Sequence, residues 1–565
     1  MALPALLPPV LCPQAVNSAT FRPPKATSLT LPEICDWHYE HSGSHSLYIQ
    51  VDDATNEVST IPWRTAVRGV YRISHSVSES VKSLNIPATR PTIGLCSTCD
   101  PFTYLLSILG IMRAGYPVFL MSPWASPAAL KHLISISGVP LILTNADDPD
   151  LRAKLLFAAG DTPGIQISDH LPWSRIISTE PGPEKGPDIP EHDLEATCII
   201  LHSSGSTTLP RLNVWTHRMV ATALWQPWYG ERDICGEIMC AASVPMSGAA
   251  GTMLALFPAS SGLIVSGLKP QSPPSRLSSE SVWKAIVATK STYAFILQPF
   301  IYTFSADGGK RKILAQLKGV IFGGGPLRKT FGDQLALDGV NLLTFFGSSE
   351  GGLMTKVVTD NRGEDWEYFS FYPLVNPGFI PQENSDLFEF VVKTGPFHRP
   401  TQTNTVFEGV AAFASKDLLQ RHPEKPSFWK YVCRMDDQEM LSNGVKINAA
   451  AFEAILTSDP LIRGTVIFSQ GPTYGVIVDT VSEYAPKSDP SHPEEKAKLR
   501  SLIWPTVERF NQVVPDLARL KEETILFTTP EKPFVYGEKG LPRRKEAIRA
   551  YIHEIEAYVG PWAEQ

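Results

Sequence analysis

Short apolar, β-prone runs alternate with longer helical segments between residues 92 and 143, and this rhythm constrains the fold more than any other feature of the chain. Residues 92–95 (Thr-Ile-Gly-Leu) read as a buried strand, 102–114 as a helix, 116–120 as a strand, 127–137 as a helix and 141–143 as a strand. Strands connected through helices run mostly parallel, and a parallel sheet buries both of its faces. Ahead of this block, residues 31–41 predict a first helix, 48–51 and 58–61 a hairpin turning at Asp52, Asp53 and Asn56, and 63–84 a long helix. Later, 317–322 predicts a strand ending in Gly323-Gly324-Gly325-Pro326, and 341–345 a strand ending in Phe346-Gly347-Ser348-Ser349-Glu350. Open α/β sheets bind ligands at such carboxyl-end loops. Beyond Asp436 the pattern becomes a smaller α+β unit, with helices predicted at 449–457, 496–513 and 545–559 and strands at 464–469, 474–479 and 524–527. The expected organisation is a large amino-terminal domain, 1–435, and a small carboxy-terminal one, 436–565.

A chain of 565 residues, 43% of them hydrophobic, has material for two or more cores. Its net charge of −7 gives no general case for nucleic acid or an anionic membrane as partner. The most apolar long window, 241–267, is broken by Ser, Gly and Pro, and the first eleven residues are proline-broken without a basic leader. Neither a membrane span nor a signal peptide is expected. Eight cysteines over this length point to reduced thiols in a cytoplasmic protein rather than a disulfide framework. Cys96 and Cys99 have zinc or redox spacing but lack a second Cys/His pair, so two buried thiols at a strand end is the better reading.

The stretch richest in chemistry is 201–211, Leu-His-Ser-Ser-Gly-Ser-Thr-Thr-Leu-Pro-Arg, between β-prone runs at 197–200 and 212–215. Its hydroxyls, its glycine and its lack of any carboxylate suit a loop that turns backbone amides and side-chain hydroxyls toward an anion such as phosphate, with Arg211 adding positive charge. Taken alone, its composition fits a solvated Ser/Thr turn as well. A Walker loop is excluded at 323–330, which ends in Lys329-Thr330, because Arg328 occupies the place of the second glycine.

Taken in order, that loop, the 323–326 turn, Phe346 to Glu350, the junction Arg434-Met435-Asp436-Asp437 and Lys539-Gly540 resemble the adenylate-forming superfamily of acyl-CoA synthetases, peptide-synthetase adenylation domains and luciferases. Trp366-Glu367-Tyr368, Asp417-Leu418 ahead of His422-Pro423, and residues 441–448 are most similar to adenylation domains of fungal peptide-synthetase-like carboxylic acid reductases. The resemblance implies an α/β amino-terminal domain of two mainly parallel sheets flanked by helices, with a smaller β subdomain, and a small mobile α+β carboxy-terminal domain. It implies ATP and Mg²⁺ as cofactors. Ser203, Ser204, Gly205, Ser206, Thr207 and Arg211 would hold the β- and γ-phosphates, and Gly323, Gly324 and Gly325 would let the backbone approach adenine. Phe346, followed by Gly347, would stack on the purine, Ser349 would bond the α-phosphate and Glu350 would help hold the metal. Asp417 and Arg434 would take the ribose, and Asp436 would be the hinge. The implied reaction joins a carboxylic acid to AMP with loss of pyrophosphate. It then passes the acyl group to a thiol, either CoA or a carrier-protein phosphopantetheine, in secondary-metabolite biosynthesis.

The chain departs from the family pattern in several places. The usual Gly-Lys-x-x-Arg ending is replaced by Lys539-Gly540-Leu541-Pro542-Arg543, where Leu541 takes the lysine's place if the glycines are aligned, and Lys539 is the candidate catalytic lysine. Thr208 and Cys433 stand where the family has glycine, Arg211 where it has lysine, and Ser415-Lys416 where it has Thr-Gly. In the segment matching the acyl pocket, 244–251, Pro245, Ser247, Gly248 and Gly251 bring no acid for an α-ammonium. An ordinary α-amino acid is therefore disfavoured, and an aryl or other bulky acid is expected. Trp225, Trp228 and Tyr229 suit core packing better than a cage for a quaternary ammonium. The departures keep a second reading open, a non-catalytic binding or scaffold module with the same fold. They also leave open whether the chain is freestanding or an excised domain.

Overall fold

The computed structural model describes residues 8–24, 29–84, 90–160, 162, 164–188, 193–203, 210–274, 277–327, 329–359, 363–383, 385–435, 438–440, 446–470, 473–480, 493–514, 519–537 and 540–559. The predicted strand-helix rhythm forms two large sheets. In one, Gln166–Asp169, Leu141–Thr144, Ile93–Leu95, Val118–Leu120, Thr197–His202 and Leu212–Thr216 lie side by side in that order, parallel until the antiparallel final pair. In the other, Leu342–Phe345, Gly319–Gly323, Tyr293–Phe295, Ile238–Cys240, Ile264–Leu268 and Ser46–Val51 run parallel, and Val58–Pro62 closes the edge as the predicted hairpin.

Helix Pro101–Arg113 is buried from Phe102 to Arg113, and helix Ala249–Ser261 from Gly251 to Ser261. Helices apolar on every side belong between two sheets, and these two share one core with helix Trp63–Ser83 and with Tyr48, Ile93, Ile199 and Phe345 of the sheets. Separate cores cover the outer faces, one around Ile286, Ile301 and Phe304 and the other around Leu133, Leu151 and Leu155. The layering is thus helix, sheet, helix, sheet, helix. Helix starts follow the capping chemistry of the sequence. Asp100 accepts from the amides of Phe102 and Thr103, Ser126 from Ala129, and Thr216 from Met219.

A third, antiparallel sheet orders Tyr368–Phe369, Trp429–Arg434, Val410–Arg421, Leu387–Lys393 and Pro377–Pro381, with Thr405–Phe407 against Val410–Arg421. Further along, Ile462–Gln470, Thr473–Thr480 and Ile525–Phe527 form a small sheet. Helices Ala449–Leu456 and Pro493–Val513 build a core with it around Ile503 and Phe510, and a second core gathers Phe534, Ala547, Tyr551 and Ile555. The single closing helix expected at 545–559 is divided into Arg544–Ala550 and Ile552–Val559. Tyr551 sits at the break with its ring buried and its hydroxyl accepting from the Thr529 amide at 3.2 Å. Helix Pro149–Ala159 and strand Gln166–Asp169 were not foreseen.

Trp225 and Tyr229 are buried, the Trp228 indole donates to the Ser260 carbonyl at 3.1 Å, and the Tyr229 hydroxyl donates to that of Pro8 at 2.8 Å. This is core packing and not a cage. Cys96 is buried, and burial pushes its thiol up to about 12; Cys99 moves the same way for the same cause. Among the described residues no helix is long and apolar enough to cross a membrane.

His38 is enclosed between the rings of Phe21 and Trp63, with Nε2 2.7 Å from the Ala259 carbonyl and Nδ1 3.0 Å from Ser42 Oγ. Burial lowers its pKa from 6.5 to about 3, and burial lowers those of His45, His170 and His398 as well. The unfolded chain takes up these protons near the ordinary value while the folded one resists. Stability is therefore intact above that value and declines as pH falls from 6.5 through about 3. Thermal unfolding followed between about pH 7 and pH 4 should show a falling midpoint, with a shallower slope in His38→Gln. Parallel slopes would remove His38 as the cause.

Candidate active site

The phosphate-loop stretch leaves the sheet at the end of Thr197–His202 and returns through Arg211 into the edge strand Leu212–Thr216. Its neck is closed by two hydrogen bonds: the Ser203 amide donates to the Arg211 carbonyl and the Arg211 amide to Ser203 Oγ, both at 3.0 Å. The Ser122 amide donates to His202 Nε2 at 3.0 Å, which fixes the proton of a neutral ring on Nδ1, where it is donated to the Ser203 carbonyl at 2.9 Å. Arg211 stands exposed at the exit. Ser204, Gly205, Ser206, Thr207 and Thr208 lie outside the described residues.

Ser349, Glu350 and Gly351 form the tip of a small hairpin whose arms are Gly347–Ser348 and Gly352–Leu353. The arms touch so closely that a Cβ on Gly347 would lie 2.4 Å from the Gly352 carbonyl oxygen, which reserves the position for glycine. Asn213 ties this tip to the exit of the hydroxyl-rich stretch. Wholly buried two residues past Arg211, its amide nitrogen donates to Ser349 Oγ at 2.9 Å and reaches Glu350 Oε1 at 3.4 Å. Its carbonyl accepts from the Thr401 hydroxyl at 3.1 Å, while the Thr401 amide donates to the Glu350 carbonyl at 2.8 Å. The Ser349 hydroxyl in turn donates to Glu350 Oε2 at 3.2 Å, and the Trp215 indole to the Ser349 carbonyl at 3.0 Å. Asn213 carried a legible signal that the motif reading passed over, a polar residue on the buried phase of an edge strand. Thr401, 188 residues away, carried none.

The glycine turn ends strand Gly319–Gly323, and Gln298 braces it by donating to the carbonyls of Gly323 at 3.0 Å and Gly325 at 2.6 Å. Gly324 has φ of +79°, and a Cβ on Gly323 would strike the Phe345 carbonyl oxygen at 2.7 Å. The fold itself therefore demands these two glycines. Only Gly325 faces space, a Cβ there meeting Gln298 Nε2 alone at 3.6 Å.

Phe346 is 8% exposed, stacked on Phe369 at 5.0 Å and flanked by Phe371, Phe390 and Tyr431. These partners come from the third sheet and its approach, so the ring fastens that sheet to the end of strand Leu342–Phe345. The same third sheet carries Asp417 and Arg434 as register partners on adjacent strands, their charged groups 3.5 Å apart. Lys416, standing for the family's glycine, adopts φ of +64°, so the backbone keeps the left-handed turn despite the side chain. Cys433 is buried in the sheet as the register partner of Leu418.

In the expected acyl-pocket segment, Pro245, Ser247 and Gly248 form a turn that enters helix Ala249–Ser261, with Gly248 at its cap. A Cβ on Gly251 would lie 2.4 Å from Met246 Cα, so this glycine serves packing within the segment. Lys539 and Asp436 lie outside the described residues. Around the former, the Gly537 amide donates to the Leu541 carbonyl at 2.8 Å, and Leu541 is 64% exposed. Lys329 of the failed Walker motif pairs with Asp333 at 2.8 Å on the surface.

Among the described residues no group of three or more His, Cys, Asp and Glu side chains could hold a metal alone. A single carboxylate such as Glu350 still fits Mg²⁺, which is commonly bound by one or two carboxylates together with substrate phosphates.

Comparison with known proteins bears on the family and the fold. Residues 100–377 match the AMP-binding enzyme family and residues 436–560 the AMP-binding enzyme C-terminal domain. An adenylate-forming reductase, Nps10, of Heterobasidion annosum is 36% identical over 96% of this chain and 51% of its own length. A carboxylic acid reductase of Neurospora crassa is 25% identical over 87% of this chain and 46% of its own. The chain thus spans about half the length of the curated relatives it matches. Among solved structures, the adenylation domain of the carboxylate reductase of Mycobacterium chelonae superposes with a TM-score of 0.70 at 16% identity, covering 95% of this chain and 92% of that one. The A domain of the carboxylic acid reductase of Segniliparus rugosus, in complex with AMP and a co-purified carboxylic acid, gives 0.70 at 14% identity over 96% and 98%. Two sheets around a buried helical layer, a third sheet at their end and the ordered motifs at their loops place this chain in the adenylate-forming, AMP-binding enzyme superfamily.

Proposed function

We propose that this chain activates a carboxylic acid with ATP and Mg²⁺, forming acyl-AMP and pyrophosphate, and then passes the acyl group to a thiol of CoA or of a carrier-protein phosphopantetheine. The observation that carries the reading is the Asn213 bridge, which holds the exit of the hydroxyl-rich loop and the Ser349–Glu350 tip in one hydrogen-bonded unit. Arg211 and the loop hold the leaving phosphates, and Ser349 the α-phosphate. Asp417 and Arg434 take the ribose, and Glu350 contributes to the metal site. Mg²⁺, when bound, offsets phosphate charge as the pyrophosphate leaves. With the acid's carboxylate lined up on the α-phosphorus, positioning and charge neutralisation supply most of the rate. Phe346 presents its ring to the purine, held by its stack on Phe369.

Residues 1–435 and 436–565 act as two domains in this reading, the smaller turning about Asp436 between half-reactions and bringing Lys539 to the first. The segment at 245–251 receives an aryl or other acid without an α-ammonium. ATP–pyrophosphate exchange across aryl, keto, fatty and betaine acids tests the proposal. Exchange with at least one acid is expected, whereas silence with all of them, together with no nucleotide binding, would point to the scaffold reading. Lys539→Ala should lower exchange by about 10²- to 10³-fold, the scale for loss of one group that stabilises transition-state charge. Exchange at the parent rate would discard Lys539 as the catalytic lysine.

A further inference from the structure

Residues 394–404 join strands Leu387–Lys393 and Thr405–Phe407 and run from the third sheet to the Ser349–Glu350 tip. Two residues of this loop grip consecutive carbonyls of the tip. The Thr401 amide donates to the Glu350 carbonyl at 2.8 Å, and His398 Nε2 lies 2.7 Å from the Gly351 carbonyl. A carbonyl can only accept, so the His398 ring carries a proton on Nε2 and donates it there. The ring is buried, sits edge-on to Tyr372 with centroids 6.2 Å apart, and its own carbonyl accepts from the Gly395 amide at 2.8 Å.

Both feet of the loop stand on strand Val410–Arg421. The Thr394 amide donates to the Ala411 carbonyl and the Asn404 amide to the Ala412 carbonyl, each at 3.0 Å. The Asn404 side chain then pairs with Ala414, donating to its carbonyl at 3.0 Å and accepting from its amide at 2.8 Å. It thus meets both backbone groups of one residue, as a neighbouring strand would. Three residues further along the same strand stands Asp417, the register partner of Arg434. A short, doubly footed loop therefore connects the strand of the Asp417–Arg434 pair to the hairpin tip.

We propose that His398 is a positioning residue for adenylation, which sets the tip in register with the Asp417–Arg434 pair. The inference rests on the adenylation reading, in which that pair takes the ribose while Ser349 and Glu350 meet the α-phosphate and the metal. Ribose and α-phosphate are joined directly in one nucleotide, so the two places that receive them must keep a fixed separation. Asn213 holds the tip from the side of the hydroxyl-rich stretch, and His398 holds it from the side of the sugar. His398 acts only through the Gly351 backbone. Without its donor the tip can shift against the ribose pair, and a displacement near 1 Å costs a positioned reaction about 10²-fold.

The test compares His398→Leu, which fills the space without a donor, with His398→Gln, whose amide can donate to the Gly351 carbonyl. In ATP–pyrophosphate exchange, kcat of His398→Leu should fall about 10- to 100-fold. The KM for ATP should stay within about twofold because the ribose pair is untouched, and His398→Gln should recover to within about threefold of the parent. Deuterium uptake by backbone amides of residues 347–353 in the ligand-free chain should be faster in His398→Leu than in the parent or His398→Gln. A merely structural role would lower the unfolding midpoint without dividing kcat from KM and without rescue by glutamine. Exchange in His398→Leu within about twofold of an active parent, or glutamine no better than leucine, would overturn the role of His398 alone. A parent silent with every acid would overturn the adenylation reading and this role together.

Discussion

Asn213→Ala is expected to slow ATP–pyrophosphate exchange by about 10²-fold, the scale at which a displacement near 1 Å costs a positioned reaction. The side chain is wholly buried, and its removal takes a partner from Ser349 Oγ, Glu350 Oε1 and the Thr401 hydroxyl at once. A buried group left unsatisfied costs about 1–3 kcal/mol, so a lower unfolding midpoint should accompany the slower exchange. A simple loss of stability would leave exchange intact well below the melting temperature, and that result would reduce Asn213 to a structural strut. Asn213→Asp separates the two further. It keeps the shape but faces Glu350 with a second carboxylate across the 3.4 Å contact. Like charges raise the pKa of such a pair, so exchange in this variant should fall as pH rises and both groups ionise. A pH-independent deficit would argue against a site in which the charge of Glu350 matters.

Gly347→Ala should slow exchange to a similar extent for a different reason. The new Cβ would lie 2.4 Å from the Gly352 carbonyl oxygen and 3.0 Å from Leu353 Cα. Both are backbone atoms of the opposing arm, so the clash can be relieved only by spreading the two arms, and overpacking of this kind costs about 1–3 kcal/mol. Spreading them moves Ser349 and Glu350. Gly325→Ala is the matched control, since its Cβ meets only the end of Gln298 at 3.6 Å and the fold should tolerate it. Any rise in the KM for ATP there reports the approach of nucleotide to the turn. Exchange within about twofold of the parent in Gly347→Ala would mean that the hairpin does not position the reacting groups.

The alternation between residues 92 and 143 was legible because buried parallel strands are short apolar runs, and because their helices advertise both ends. Helix Pro127–Ser137 begins after Ser126, whose side chain caps it, and stops at Gly138 with φ of +61°. Helix Pro149–Ala159 escaped because its start, in Ala-Asp-Asp-Pro-Asp, looks like a turn, and only the structure shows Asp148 capping Leu151. The third sheet was foreseen only as a β subdomain. Strand Val410–Arg421 carries Ser415, Lys416, Asp417, Gln420 and Arg421 among its apolar residues, which breaks the alternation that marks a strand. That gap also hides the rings packed on Phe346, since Phe369, Phe371 and Phe390 lie in that sheet or on its approach. The order of the motifs could be read along the chain, but the Asn213–Thr401 bond joins residues that no local pattern relates.

The segment Pro245 to Gly251 opens into helix Ala249–Ser261, every residue of which from Gly251 onward is sequestered between the two large sheets. A turn rooted in such a helix has little freedom to drift. Mutations deep in the helix disturb the packing of both sheets, whereas Ser247 and Gly248 in the turn, where the chain is still partly open to solvent, can change without that cost. The helix is thus the fixed wall and the turn before it the part whose residues can change.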